Sequence, residues 1–449
     1  MDREIDRVVL LHDYSEALGG ASHLVQVLLE GLCARGIPVT FMAGDTGRNF
    51  TRSDVEFIPL HGKPLLERSS LGALTAGFFN PRSLLRLSAW IKRNDTPGTV
   101  YHLHGWSKIL TPAVFGALRK VSQRVILHGH DYFNGCPNGA FFDYPQDQDC
   151  TLAPLSRPCL RRQCDKASYG RKVWRSGREV ARRGALSGGT NVSRMLLIHP
   201  GQAEAFARAN WPRHKLAALR NPVTPLTAER VPAERNAGVI FIGRISKEKG
   251  ADLAASAAAR AGIPITFVGE GSERDVVQRL NPEAVFLGRQ DRRGMAQAVS
   301  TARLAVMPSR WAEPFGLVAL EAIGSGVPAV INHRALIAEE VAGHGFGLSI
   351  DTGRIDLFAD ALIELHRDHD RVGRMSRAGH AGYLALCNTP EDWITQTIGH
   401  YRSVLAFSEE KGGGRADAAP PRPATMAHGP ERHPGSPETN GMKQPYADA

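Results

Sequence analysis

Short apolar runs alternate with amphipathic segments along most of the chain. "RVVLLHDY" (7–14) has strand length, helical spacing follows from about Ala21 to Arg35, and "PVTFMAG" is a second apolar run. "TVYHLHG" (99–105) and "RVILHGH" (124–130) are two more, each carrying histidines at its end. This strand–helix–strand rhythm predicts a parallel sheet. It breaks in a polar, cysteine-bearing stretch from about 131 to 168. It then resumes in "GVIFIGRI" (238–245), "PITFVGEG" (264–271), "AVFLGR" (284–289), "LAVMPS" (304–309) and "PAVIN" (328–332), with helical segments between.

The segment "RNPVTPLTAERVPAERN" (220–236), rich in proline and charge, reads as a linker. The pattern therefore predicts an α/β protein with two doubly wound, Rossmann-like domains, 1–219 and 237–390. In such sheets ligands bind outside the carboxyl ends of the strands, so the expected site is the cleft between the domains. In "EDWITQTIGHYRSVLAF" (391–407) Trp393, Ile394, Ile398, Tyr401, Val404 and Leu405 fall at helical spacing, which predicts a helix packing back on the body. The last 42 residues (408–449) hold seven prolines and six glycines and read as a disordered tail.

Composition narrows the classes. A chain of 449 residues exceeds one ordinary core. No apolar run approaches the ~18 to 20 residues that cross a bilayer. The charged start "MDREIDRVVLL" lacks a small-residue cleavage site, so no secretory signal is expected. Six cysteines do not resemble a disulfide scaffold, and a cytoplasmic protein is the simplest reading.

The net charge of +10 is concentrated. Residues 157–185 hold ten Lys or Arg against only Asp165 and Glu179. Such a cluster suits an anionic substrate or an anionic membrane surface, which would place the protein peripherally on the cytoplasmic face of the inner membrane. Zinc-finger spacing and aromatic RNA-binding signatures are missing, so no nucleic-acid partner is expected. Within this stretch Tyr169, Val173, Trp174 and Val180 lie among arginines. A membrane-surface helix and a solvated helix that buries Trp174 are both open readings.

The richest chemistry lies in "RWAEPFGLVALEA" (310–322). On one continuous helix Glu313 and Glu321 would stand ~12 Å apart and roughly 80° around the axis, too far to share a proton. Pro314 and Gly316 instead predict a loop that starts a helix near Gly316 or Leu317. The free N–H groups and positive dipole end of a helix start form an anion site. Glu313 then lies in the loop and Glu321 about one turn into the helix. Arg244 follows a predicted strand in "GRISKEKG", with Lys249 at a helix start, a pair suited to phosphate. Gly19 and Gly20 follow the first strand, where glycine permits close backbone approach.

These pieces together resemble glycosyltransferase family four, the retaining, nucleotide-sugar-dependent enzymes of GT-B architecture. The carriers are "GGASHLVQVLLEGLCARGIPVTF", "HLHG", "HGHD", "LRNPV", "FIGRISKEKG", "FVGEGSE" and "PSRWAEPFGLVALEAIGSGVPAV", over residues 7 to 407. The resemblance implies that Glu313 contacts the transferred sugar and Glu321 the ribose. Backbone N–H groups of Phe315, Gly316 and Leu317 would meet sugar or diphosphate oxygens, and Arg244 and Lys249 would neutralise the leaving diphosphate. Gly19, Gly20 and Gly243 would approach the donor, and His130 would lie near the sugar.

It further implies a hexose moved with retention from a UDP-, GDP- or dTDP-sugar, with no metal required. The acceptor would be a glycan or lipid-linked glycan, in cell-surface polysaccharide synthesis. A non-catalytic nucleotide-sugar-binding subunit and a sugar-nucleotide epimerase are the alternatives. After "PAVIN" the chain reads "HRALIAEE" where many relatives have a Gly-Gly turn before a Glu, so Glu339 and Glu340 carry no assignment.

His102, His104 and His128 read as residues that tune strand ends or line the cleft. Cys136, Cys150, Cys159 and Cys164 could hold a structural zinc, although no short Cys-x-x-Cys knuckle occurs; local disulfides or free thiols are the alternatives. Cys33 and Cys387 read as core. "DQD" (147–149) and "DHD" (368–370) do not follow strands and read as chance rather than a metal motif.

Overall fold

The computed structural model describes residues 4–67 and 70–413. Fifteen strands occur among them: β1 (Arg7–His12), β2 (Val39–Ala43), β3 (Glu56–Pro59), β4 (Thr99–Leu103), β5 (Val125–Gly129), β6 (Phe142–Asp143), β7 (Gln148–Asp149), β8 (Arg194–Leu197), β9 (Leu216–Ala218), β10 (Gly238–Ile242), β11 (Ile265–Val268), β12 (Val285–Gly288), β13 (Ala302–Met307), β14 (Ala329–Asn332) and β15 (Gly347–Ile350). The first half is a seven-stranded sheet in the order β3-β2-β1-β4-β5-β8-β9, and the second a six-stranded sheet in the order β12-β11-β10-β13-β14-β15. Neighbours in both sheets run parallel, with helices on their faces. The predicted architecture of two Rossmann-like halves is the observed one.

Strand order reverses between β1 and β4 in one sheet and between β10 and β13 in the other. Those reversals open the crevices in which doubly wound sheets bind ligands. Strand periodicity sorts the first core into two faces. Val9, Leu11, Tyr101, Leu103, Val125 and Leu127 pack on one side. Val8, Leu10, Val100 and Ile126 pack on the other, together with Trp393, Ile394, Ile398, Tyr401, Val404 and Leu405. The last six belong to the helix Pro390–Gly413, which follows the second half in sequence yet completes the core of the first. Ile394 lies so close to Gly31 that an added Cβ there would sit 2.1 Å from Ile394 Cδ1. This helix starts one residue before and ends six residues beyond the expected 391–407. The rest of the predicted tail lies outside the described residues.

The chain crosses between halves twice, and the two crossings lie side by side. Pro222 pairs with Asn388 in an isolated bridge, and Val223 N–H donates to Asn388 O (3.0 Å). Arg220 makes a two-pronged bond to Glu340 (2.9 and 2.7 Å), whose carboxylate also meets His199 Nε2 at 3.0 Å. Glu340 therefore ties linker, first half and second half together.

The basic helix Tyr169–Ala185 buries part of its charged face, which neither sequence reading anticipated. Its charged face is turned inward: Lys172, Arg178, Glu179 and Arg182 are buried, while Tyr169, Val173 and Val180 are exposed. Arg182 is held by both oxygens of Glu179 (2.7 and 2.8 Å) and by Gly189 O (2.9 Å). Arg178 stacks over Trp174 and Trp106. Trp174 is half-buried and donates to Leu74 O (3.2 Å). No described helix is long and apolar enough to cross a membrane.

Trp393 has no exposed surface, so its truncation leaves a cavity in the first half's core. Trp393→Ala is expected to cost about 3–5 kcal/mol in denaturant unfolding. A loss below about 1 kcal/mol would show that the returning helix is not part of that core.

Candidate functional site

The crevice of the second sheet assembles around one ion pair. β10 ends at Ile242, and the chain passes Gly243 and Arg244 to a short turn, Lys247–Lys249. β13 ends at Met307 and leads through Ser309 to Glu313. Because β10 and β13 are neighbours, these two loops meet. Lys249 Nζ lies 2.7 Å from Glu313 Oε1, and Ser309 Oγ donates to Glu313 Oε2. Gly250 allows the approach: its φ is +70°, and a Cβ there would fall 2.1 Å from Pro308 O. Burial would raise the Glu313 pKa, but the Lys249 ammonium and the Ser309 hydroxyl outweigh it and hold the carboxyl below its ordinary range.

The helix predicted after Pro314 is Leu317–Gly324, capped by Gly316 at φ +70°. A Cβ at Gly316 would come within 2.9 Å of Met307 Sδ, so the cap is sterically bound to glycine. Phe315 is buried and anchors the turn. The first N–H groups of a helix have no partner within it, and this helix starts in the loop that carries Glu313, the partner of Lys249. Arg244 is at the rim, exposed, with Glu248 at 3.6 Å. It adds to the field on Glu313 without touching it.

Glu321 lies one turn along that helix, half-buried against the first half. Around it are His23 and Leu24 from the helix Gly20–Cys33, and Arg292 from the second half. Burial pushes its pKa up to about 7, against the pull of the Arg292 guanidinium. The space left here is only about 20 Å³. A Cβ at Gly20 would lie 3.6 Å from Leu317 Cδ2, so the two halves come close at Gly20. Gly19 caps its helix in extended backbone, with nothing within 4 Å of a notional Cβ; the chain itself does not demand glycine there.

Across the crevice, His102, His104, His128 and His130 project from the carboxyl ends of β4 and β5. Even spacing puts them on one face, and they form a ladder. Tyr401 OH meets His102 Nδ1 at 2.7 Å, His102 Nε2 meets His128 Nδ1 at 3.2 Å, and His104 Nδ1 meets His130 Nε2 at 3.0 Å. His128 and His130 stack at 4.2 Å with ring planes 8° apart. The nitrogens of His102, His104 and His128 lie within 4.8 Å of one another, close enough to share an ion. The hydrogen bonds and stacking, however, aim the rings along a column rather than at one point. Burial drives all four pKa values down, His128 to about 3, so the imidazoles are neutral.

His130 itself reaches the second half through its neighbours. Tyr132 OH donates to Ala312 O (3.3 Å), and Trp311 packs on the first half's core. The insertion adds to this seam. Asp147 lies 3.7 Å from Arg310 and 3.9 Å from Arg334, and Lys166 pairs with Glu248 (3.2 Å). Arg310 also grips Asp252 through both nitrogens (2.7 Å each). One aspartate of "DQD" thus has a structural partner. In "DHD", Asp368 caps the helix His369–Gly382.

Of the four insertion cysteines, Cys136, Cys159 and Cys164 are buried and all are free thiols; Lys172 Nζ donates to Cys159 Sγ (3.2 Å). Among the described residues the four sulfurs do not converge within 4.8 Å, unlike the histidines.

Three contributors were not singled out by sequence reasoning. Ser309 was visible only as the end of an apolar run. Asp13 accepts from the N–H groups of Lys108, Ile109 and Leu110 (2.9, 2.8 and 2.9 Å) and fixes the loop after β4. Asp131 sits in the "HGHD" signal, and burial pushes its pKa up to about 6.

A fold of two facing Rossmann-like halves with a crevice of this kind is the GT-B fold of glycosyltransferases. Residues 227–381 match the family described as glycosyl transferases group 1. By sequence the chain is similar to a GDP-mannose-dependent alpha-mannosyltransferase of Corynebacterium glutamicum, 30% identical over 47% of this chain and 46% of that protein. By structure it is similar to sucrose-phosphate synthase from Thermosynechococcus elongatus, with TM-score 0.66 and 19% identity over 90% of this chain and 100% of that one. It is likewise similar to Anabaena HepE in complex with UDP-glucose, with TM-score 0.60 and 16% identity over 88% and 99%. The chain spans about half the length of the curated relatives it matches.

The ladder gives a pH prediction. Histidines whose folded pKa is depressed take up protons more readily when unfolded, so their contribution is full above about pH 6.5 and is lost as pH falls toward about 3. The denaturant midpoint should be lower at about pH 5 than at about pH 7.5, and His128→Leu should flatten that dependence. Equal midpoints in the parent protein would contradict neutral burial.

Proposed function

We propose that this protein is a retaining glycosyltransferase, moving a hexose from a nucleotide diphosphate sugar to a glycan or lipid-linked glycan acceptor without a required metal. The observation that carries the reading is the Lys249–Glu313 pair beside the Gly316 helix start, with Glu321 one turn on. This brings a cation, a helix N-terminus and two separated carboxylates together on one loop–helix segment and its partner loop. The similarity of residues 227–381 to group 1 glycosyl transferases supports it.

In this proposal Lys249 is held by Glu313 until a donor diphosphate takes its place. Glu313, released, accepts from hydroxyls of the sugar, while Glu321 accepts from the ribose. The bond between the anomeric carbon and the diphosphate oxygen breaks, and the acceptor oxygen bonds to that carbon on the same face. The acceptor proton passes to the departing diphosphate, whose charge is stabilised by Lys249, Arg244 and the N–H groups at Gly316 and Leu317. His130 borders the sugar side. The narrow space at Glu321 requires the halves to part for entry, and the paired crossings at Pro222 and Asn388 are the natural hinge.

The acceptor side fits a membrane surface. Leu160, Tyr169, Val173 and Val180 are exposed near the exposed cations Arg157, Arg161 and Arg171, a pairing that suits an anionic, lipid-linked acceptor and peripheral attachment.

The test is nucleotide release from UDP-, GDP- and dTDP-sugars, with nucleotide affinity measured alongside. Glu313→Ala should lower turnover by about 100-fold or more with little change in nucleotide affinity, as expected of a contact made in the transition state. Glu321→Ala should weaken nucleotide binding by about tenfold. Because only the carboxylate form of Glu321 is acceptor-only on both oxygens, affinity should fall as pH drops below about 7, and Glu321→Gln should remove that slope. Tight nucleotide binding without turnover of any donor would instead identify a non-catalytic binding subunit.

A further inference from the structure

Two neighbouring helices of the first half close on a pair of side chains that the proposed transfer reaction does not use. The short helix Arg157–Arg161 turns Cys159 inward, with its N–H held by the Ser156 hydroxyl (3.3 Å). The basic helix Tyr169–Ala185 places Lys172 opposite, and Nζ donates to Cys159 Sγ at 3.2 Å. A second bond pins the helices beside this contact: Tyr169 OH donates to Leu160 O (2.8 Å). Cys159 is 6% exposed and Lys172 only 1%.

Lys172 is the informative residue. A buried ammonium ordinarily meets a carboxylate, because a desolvated charge alone is costly. Among the described residues no carboxylate lies within ion-pair distance of Nζ, and its charged neighbours are sulfurs. Burial alone would push the Lys172 pKa down, and Cys164, Cys159 and Cys136 turn the shift upward. Burial also pushes the Cys136 thiol up and the Cys164 thiol up to about 11, so both stay protonated near neutral pH. The group in contact with the amine is thus a thiol sulfur, a weak acceptor but an oxidisable one. An apolar side chain at position 172 would fill this space at lower cost, so packing does not account for the contact. Arg157, Pro158, Leu160 and Arg161 around Cys159 are exposed, which leaves the sulfur just beneath the surface and within reach of a molecule as small as hydrogen peroxide.

We propose that Cys159 and Lys172 form a modification site at which a peroxide links Sγ to Nζ as a sulfenamide. Sγ attacks one oxygen of hydrogen peroxide, the O–O bond breaks, and water leaves with the thiol proton, giving a sulfenic acid. Lys172 Nζ releases one proton to solvent and attacks the same sulfur. The S–O bond breaks, the S–N bond forms, and the hydroxyl leaves as water with a second proton from Nζ. Sulfur gives up two electrons in all, and the peroxide takes them. The link closes a loop around Lys166, the residue that reaches Glu248 in the second half.

Peptide mapping of the full chain tests the proposal. The protein is treated with hydrogen peroxide, its remaining thiols are alkylated, and tryptic peptides are weighed with and without dithiothreitol. The expected product is a Cys159 peptide joined to one that trypsin no longer cuts after Lys172, two hydrogens lighter than the sum of its parts. Dithiothreitol should separate the two. Lys172→Met should lose the joined peptide and leave Cys159 as a sulfenic or sulfinic acid. The proposal is overturned if the parent protein yields no joined peptide, or if Cys159 is linked to Cys136, Cys150 or Cys164 instead. A joined peptide that persists in Lys172→Met overturns it as well. The parent protein alone decides the first two outcomes, so nothing rests on the variant folding. No donor sugar is involved, so the result is independent of the proposed transfer reaction.

Discussion

The ion pair between Lys249 and Glu313 is the constraint around which the second half is arranged. Two loops from neighbouring strands must meet for it to form, and Gly250 makes room by admitting Pro308 O where a side chain would stand. Partly buried charges are tolerated because each answers the other and Ser309 adds a hydrogen bond. The same loop then turns through Gly316 into the helix that carries Glu321. Moving the pair would therefore displace both carboxylates and the helix start together.

The first half supplies a different kind of rigidity. Its histidine ladder is neutral, stacked and closed off by Tyr401, a residue of the returning helix. That helix links the halves covalently while packing in only one of them. Apart from Trp311, which packs on the first half's core, the opposing contacts named at the seam are small or polar: Gly20 on Leu317, Tyr132 on Ala312, Lys166 on Glu248. An interface made of such contacts can part at modest cost. Opening at the seam and firmness within each half are both needed if a bulky donor is to enter beside Glu321.

Much of this was legible in the chain because it depends on local chemistry. The strand runs, the helix start after Pro314 and the separation of Glu313 from Glu321 follow from spacing and from what proline and glycine permit. The apolar stripe from Trp393 to Leu405 likewise announced a packed helix. Other features depend on long-range placement. Nothing local says that Lys172 and Arg178 turn inward, since their partners come from Cys159 and Ser107. Ser309 and Asp13 act through loops brought to them by the sheets. The raised pKa of Glu321 comes from the other half of the molecule closing over it.

The central claim is that Lys249 and the Gly316 helix start form a seat for a diphosphate held between the two glutamates. The most direct measurement compares binding of a nucleoside diphosphate with that of the bare nucleoside, in the parent protein and in Lys249→Ala. The account predicts that the variant loses about tenfold or more in affinity for the diphosphate and little for the nucleoside. An equal effect on both ligands, or none on either, would contradict it.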